Sequence, residues 1–357
     1  MKLFFTALAL WLSTAAWSAI YTVSNNPTVP AQFSDVQSAH NFAEAGDTLQ
    51  LVGSTVGYNY LSATKRIHII GPGWGGPGLP AYLYAPTFGV GSDGSTIQGI
   101  YLNYNIALNA PNIIVKECYA YQINFNGAGA NALIQNCVGL RSIYDLGSAS
   151  GQVISNCLFN FSDGTGAYQP WCYIDGSNSA MAYPSLITNC TFYLVTMNEL
   201  YNASFSNCVM HSVLETVTWM GGDYDNCVNC TINNSMLFCS GCAFADIDGG
   251  ATLLDNLSNT INPFVNAPQT PNAYANNVLP FSSFNFSLVS SSPGINAGSD
   301  GTTIGIQGGA YPFAEGSMYG GMSGSVPYIS SFIINNPVIP EGGTLNIQAT
   351  AIIPANQ

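Results

Sequence analysis

The chain has 357 residues, of which only 6% are Asp, Glu, Lys or Arg, and a formal net charge of −13; ordinary globular domains carry about 25% charged residues. Its 5 basic residues against 18 acidic ones exclude nucleic acid, anionic lipid and acidic polysaccharide as partners, because each needs clustered positive charge. A surface built instead from Asn, Ser, Thr, Gly and Tyr is weakly protected from self-association.

In chain order, Met1-Lys2 and the apolar run Leu3 to Leu12 lead to small residues ending at Ser18 or Ala19. This is the pattern of a signal peptide over residues 1–19, and the run falls short of the ~20 apolar residues that cross a bilayer. The expected mature protein is secreted, extracellular or held at the cell surface, with no transmembrane span. Loss of Lys2 leaves four basic residues against 18 acidic, a net charge of −14. Next, Phe33 to Ala43 reads as a short amphipathic helix, followed by strands at Ala45 to Leu51 and Lys65 to Gly71. Gly71-Pro-Gly73-Trp74-Gly75-Gly76 satisfies the spacing of a dinucleotide-binding turn. The prolines after it cannot open a helix, so no N-terminus is offered to a phosphate. It is a turn, with Trp74 at its tip as a sugar-stacking platform.

The middle of the chain is repetitive. Ile134-Gln-Asn136-Cys137, Ile154-Ser-Asn156-Cys157, Ile187-Thr-Asn189-Cys190, Phe205-Ser-Asn207-Cys208 and Tyr224-Asp-Asn226-Cys227 follow a looser copy, Val115-Lys-Glu117-Cys118. From Cys118 the cysteines step by 19, 20, 33, 18 and 19 residues, the signature of a solenoid with one coil per step and one insertion. An apolar residue stands three before each Cys, and Phe or Met two after it at Phe159, Phe192 and Met210. An odd separation cannot keep two side chains on one face of a continuous strand. The chain must bend between them, and Asn, which tolerates left-handed φ, suits the bend. Each repeat therefore reads strand, Asn bend, strand, with Asn and Cys each stacked into a ladder. Six of the ten cysteines occupy this one position, which predicts an inward stack of small apolar groups rather than a disulfide framework. Stacked cysteines about 4.8 Å apart could bridge, though their parallel Cβ vectors would strain the bond. The run Cys227, Cys230, Cys239, Cys242 mimics zinc-ligand spacing, but Cys242-Ala-Phe244 repeats Cys190-Thr-Phe192, so core packing accounts for it.

The repeats, the helix and first strands, and Ser292 to Gly309 together resemble the right-handed parallel β-helix of the pectin-lyase-like superfamily, in its exported bacterial form. The resemblance implies an all-β, right-handed parallel β-helix over residues 20–310, with an N-terminal cap helix and with Ser292 to Gly309 as its last coil. It says little about activity, because lyases, hydrolases, adhesins and structural proteins share that fold. Beyond it, residues 311–325 read as a Gly- and Ser-rich linker. Residues 326–357 read as a C-terminal β tail of two apolar segments, marginal by themselves.

Two candidate sites stand out. The insertion between Cys157 and Cys190 gathers Tyr168, Trp171, Tyr173 and Asp175; rings for a sugar's apolar face and a carboxylate for its hydroxyls suit a neutral polysaccharide, with Trp74 as a further platform. Asp223 and Asp225 flank Tyr224, about 6.6 Å apart along a strand, and Asp246 and Asp248 follow about a coil later. Four carboxylates there admit Ca²⁺, the one cofactor the sequence suggests, or an acid–base pair. Against catalysis, lyases of this superfamily use Lys or Arg, and here only Lys116 and Arg141 fall within the ladder. His40, His68 and His211 are scattered. The reading is therefore a non-catalytic structural or adhesive protein that self-associates, with its tail strands seeking a partner. The alternative is a β-helix that binds or degrades a neutral polysaccharide.

Overall fold

The computed structural model describes residues 18–74, 79–125, 129–140, 142–144, 150–159, 173–175, 185–193, 196–198, 203–211, 230–238, 252–259, 261–267, 285–313, 328–334 and 347–352. Its strands stack almost wholly in parallel and wind into a β-helix solenoid. Sheet A is 11-stranded and runs in strict chain order from Ile20–Val23 to Thr252–Leu254. Sheet B is 8-stranded, from Ser62–Ala63 through the long strands Tyr101–Leu108 and Tyr119–Phe125 to Thr196–Asn198. Sheet C is 5-stranded, from Leu158–Phe159 to Leu257–Asn259. In the middle coils the chain passes along sheet A, turns one bend into sheet C, crosses to sheet B and returns.

The bend is where the sequence placed it. Asn136, Asn156, Asn189 and Asn207 all adopt left-handed φ, between 49° and 54°. Glu117 (φ 53°) and Gly99 (φ 66°) hold the same place one and two coils earlier. A side chain with a short polar end, or none, bears this conformation at least cost. Just past each bend the thiols of Cys118, Cys137, Cys157, Cys190 and Cys208 are fully buried. Each donates to the carbonyl two residues back at 3.2–3.4 Å and to one of the previous coil at 3.6–3.7 Å. These five are free thiols, and Cys230 is also fully buried.

One rung differs from the sequence expectation. The strand paired with Ser204–Ser206 is Thr231–Asn233, so the rung after Asn207-Cys208 is Asn234-Ser235, with Asn234 at φ 46°. Asn226 and Cys227 lie outside the described residues, within the interval between these two paired strands. Ser235 Oγ accepts from the Cys208 amide at 3.1 Å, the place the Cys190 sulfur takes at the Cys157 amide at 3.4 Å.

Behind the bend, sheet A stacks Leu49, Ile69, Ile97, Val115, Ile134, Ile154, Ile187, Phe205 and Ile232 in register, all essentially fully buried. Opposite them Phe159 and Phe192 stack at 4.7 Å. At the N-terminal end the helix Val36–Phe42 is capped by Asp35, whose carboxylate accepts from the Ser38 amide at 2.8 Å, satisfying one of the orphan donors of the first turn. Its last carbonyls accept from Lys65 Nζ. Val36, Ala39 and His40 face the first coils.

The region read as a last coil is built differently. Phe264–Asn266 pairs antiparallel with Asn285–Leu288, and residues 292–313 then run back along the outside of the solenoid toward its N-terminal coils. This strap makes turns rather than strands. Its course is fixed by the Asn rungs: Asn207 Oδ1 accepts from the Ser299 amide at 2.8 Å, Asn156 Nδ2 donates to Gly308 O at 2.7 Å, and Asn136 Nδ2 donates to Tyr311 O at 2.8 Å. Ile304, Ile306 and Phe313 bury themselves with Val138, Leu158, Val209 and Met236 in a second apolar cluster outside sheet C. Gly308 is required there, since a Cβ would sit 1.7 Å from the Thr303 carbonyl. The two tail strands, Tyr328–Ile334 and Ile347–Ile352, pair antiparallel with each other.

Candidate contact surface

Sheet B carries the most distinctive exposed feature. Tyr60, Tyr84, Tyr104 and Tyr121 form one row, with ring centroids 4.7, 4.8 and 6.3 Å apart in that order. Parallel stacking creates it, because residues at equivalent places in successive coils come within about one strand spacing, ~4.8 Å. Tyr60 is 63% and Tyr104 50% exposed. The Tyr84 and Tyr104 rings lie 30° from parallel, and those of Tyr104 and Tyr121 22°. Their faces are turned largely toward each other, so the row offers ring edges and phenolic hydroxyls outward. A hydrogen bond with Tyr60 is the main cause holding the Tyr84 phenol above its ordinary value.

A second, more sheltered row lies alongside. Tyr82 and Tyr101 are 4.9 Å apart, Tyr101 and Tyr119 4.3 Å and nearly parallel, and Trp74 meets Tyr119 at 5.7 Å. Burial pushes the Tyr101 phenol up. Trp74 is thus half-buried at the end of a tyrosine stack, against the outer apolar cluster. The sequence carried a signal for the exposed row, since its tyrosines are spaced 24, 20 and 17 residues apart, close to the coil step.

The outward face of sheet A is also poor in charge. Ile114, Leu133, Val153 and Leu186 are adjacent in register, and Leu186 is 41% exposed. Lys116 stands in the neighbouring column between Gln98 and Gln135. His68 Nδ1 is 2.9 Å from Thr96 Oγ1, and its pKa is lowered chiefly by burial.

Of the residues singled out for carbohydrate, Tyr168 and Trp171 lie outside the described residues. Tyr173 and Asp175 are the ends of a sheet B strand that pairs Ser142–Tyr144 and Thr196–Asn198. That strand is two away from Tyr119–Phe125, which bears Tyr121. Asp223, Asp225, Asp246 and Asp248, named for Ca²⁺, all lie outside the described residues. So do Cys239 and Cys242. Among the described residues no three His, Cys, Asp or Glu side chains gather where a metal could be held, and no helix is long and apolar enough to cross a membrane.

Stacked parallel sheets, an Asn bend ladder and a thiol stack define the class of this molecule as a parallel β-helix solenoid. The chain matches no family model, and none of the curated proteins compared with it matches.

Proposed function

We propose that this chain is an exported, non-catalytic β-helix of the pectin-lyase-like kind that works by surface contact, as a structural or adhesive component outside the cell. The observation that carries the reading is the exposed tyrosine row on a solenoid with few charged residues. Hydroxyls and ring edges repeated at coil spacing give many weak, equivalent contacts, and little net repulsion opposes them locally. Copies of the same chain are the favoured partner, with the self-paired tail as a second contact element.

The test is the association state of the full chain, by sedimentation velocity and negative-stain electron microscopy, against a variant carrying Tyr60→Ser and Tyr104→Ser. The wild type should form filaments, sheets or concentration-dependent oligomers that the variant loses. A monodisperse wild-type rod would sink self-association.

A second reading is favoured by one placement. The Tyr173–Asp175 strand shares sheet B with the tyrosine row, so a neutral polysaccharide could run along the same face. Retention on an insoluble neutral glycan, lost with the same double variant, would support it. The edge-on presentation of Tyr84, Tyr104 and Tyr121 ranks it second, because a sugar's apolar face stacks on ring faces.

A further inference from the structure

We propose that the outer layer, residues 264–267 and 285–313, is an acid-released clasp on the solenoid and that His211 is its trigger. His211 is fully buried in sheet C, and neither ring nitrogen has a hydrogen-bond partner. A neutral imidazole holds one donor and one acceptor, so both are buried unpaired, a condition that native proteins rarely keep without a use. The ring is enclosed by aromatic groups. Tyr193 and Phe238, its register neighbours in sheet C, lie at 4.8 and 4.7 Å, and Phe264 of the outer layer at 6.1 Å. Phe286 closes the cluster against Tyr193 at 5.0 Å and Phe264 at 5.5 Å. Among these groups the Tyr193 phenol alone can titrate, so none supplies an anion to an imidazolium.

Protonation therefore puts a charge that none of the described residues compensates between the two layers, and hydrating it requires the outer layer to lift. Among the described residues the inner stack has no such group at its interface with sheet C and has no reason to open with it. Lifting would free the amides of Asn136, Asn156 and Asn207 from the strap and bare the outward side of sheet C. The sign follows from burial, which lowers the His211 pKa from 6.5 to about 3. The closed layer excludes the proton that the open layer accepts. The clasp is thus at full strength well above pH 6.5, and below that pH its opening equilibrium approaches a tenfold rise per pH unit until pH reaches about 3.

Hydrogen exchange on the full chain, corrected for intrinsic pH dependence, reads this directly. The probes are the amides of Gly305, bonded to Asn207 O, and Phe313, bonded to Ile306 O, against those of Leu133 and Val153 in sheet A. Between pH 6.5 and 4.5 the strap amides should lose protection roughly 50-fold, since the opened imidazole is already half protonated at the upper end, while the sheet A amides hold theirs. His211→Phe should abolish the strap's pH dependence, with His211→Leu as the smaller variant should the ring fail to fit. Equal loss in both layers of the wild type, or no loss in the strap, would overturn the proposal without recourse to any variant. A folded His211→Phe protein that keeps the wild-type slope would overturn it as well.

Discussion

The inner stack and the outer layer are both apolar, yet they are held together in opposite ways. Inside, Cys157 meets Cys137 below and Cys190 above, and Ile154 meets Ile134 and Ile187, so each coil answers only to its neighbours. Solenoids of this kind behave as sums of repeat and nearest-neighbour terms. Outside, the strap joins residues far apart in sequence: 92 positions separate Asn207 from Ser299, and 175 separate Asn136 from Tyr311. Contacts of that span form only after long loops close. The inner stack is cooperative through repetition, whereas the outer layer is a single late closure that can be opened alone.

Breaking the inner stack should have the largest effect. Phe192 is fully buried and stacks on Phe159 at 4.7 Å. Phe192→Ala should cost about 3–5 kcal/mol, the usual range for emptying such a site, read by urea denaturation. Loss of the strap alone, with sheet A intact, would show that the coil does not transmit the damage as argued.

The joint between the layers comes next. Asn156 Nδ2 donates to Ile306 O and Gly308 O at 3.3 and 2.7 Å, and its backbone holds φ 49°. Asn156→Ala loses both the strap bonds and the residue type that suits the bend, and should cost about 2–3 kcal/mol. Asn156→Gly keeps the bend and loses only the bonds, so it should cost less and show its damage as faster exchange in the strap. Equal costs for the two substitutions would mean that the residue type at the bend contributes little beyond the strap bonds.

That joint also marks how much could be read from the sequence. The Asn-Cys repeat announced its bends and its inward thiols because every copy states the same local requirement. Register failed where one copy changed type: Ser235 replaces Cys at the rung, while Tyr224-Asp-Asn226-Cys227 keeps the familiar letters in the intervening segment. The strap reads as a coil because Ser292 to Gly309 resembles the last coil of other β-helix proteins, and nothing local says that it lies against Asn136 or Asn207. His211 gave no sign either, since its significance comes from Phe264 and Phe286 closing over it. The tyrosine row could have been found from its spacing, but tyrosines on a charge-poor chain draw less notice than a cysteine ladder.

The thiols sharpen the comparison with a smaller effect. Burial raises the Cys118, Cys157 and Cys190 thiols well above the ordinary range, so the native stack should resist thiol reagents and react only on unfolding. The Ser235 rung shows what replaces a thiol here: its Oγ donates to Asn233 O at 3.0 Å and takes the Cys208 amide. Cys157→Ser can make the equivalent bond to Ser155 O, and should cost about 1 kcal/mol. A loss of more than about 3 kcal/mol, as for breaking a buried packing unit, would mean that sulfur packing, not position, holds the stack.

The smallest expected effect on stability falls on the surface row, and there it separates folding from contact. Tyr104 is half exposed, and its ring touches Tyr84 and Tyr121 without entering either apolar cluster. Aromatic pairs at such spacing contribute about 0.5–1.5 kcal/mol when well packed, and exposure puts Tyr104→Ser at the low end. The melting transition should barely move, while association of the full chain weakens. Tyr311 is the internal control, being 56% exposed but lying on the strap, away from the row. If Tyr311→Ser weakened association as much as Tyr104→Ser, tyrosine content alone would matter and the row would have no special standing. If only the row variant does so, the regular spacing set by the inner stack is what makes the outer face adhesive.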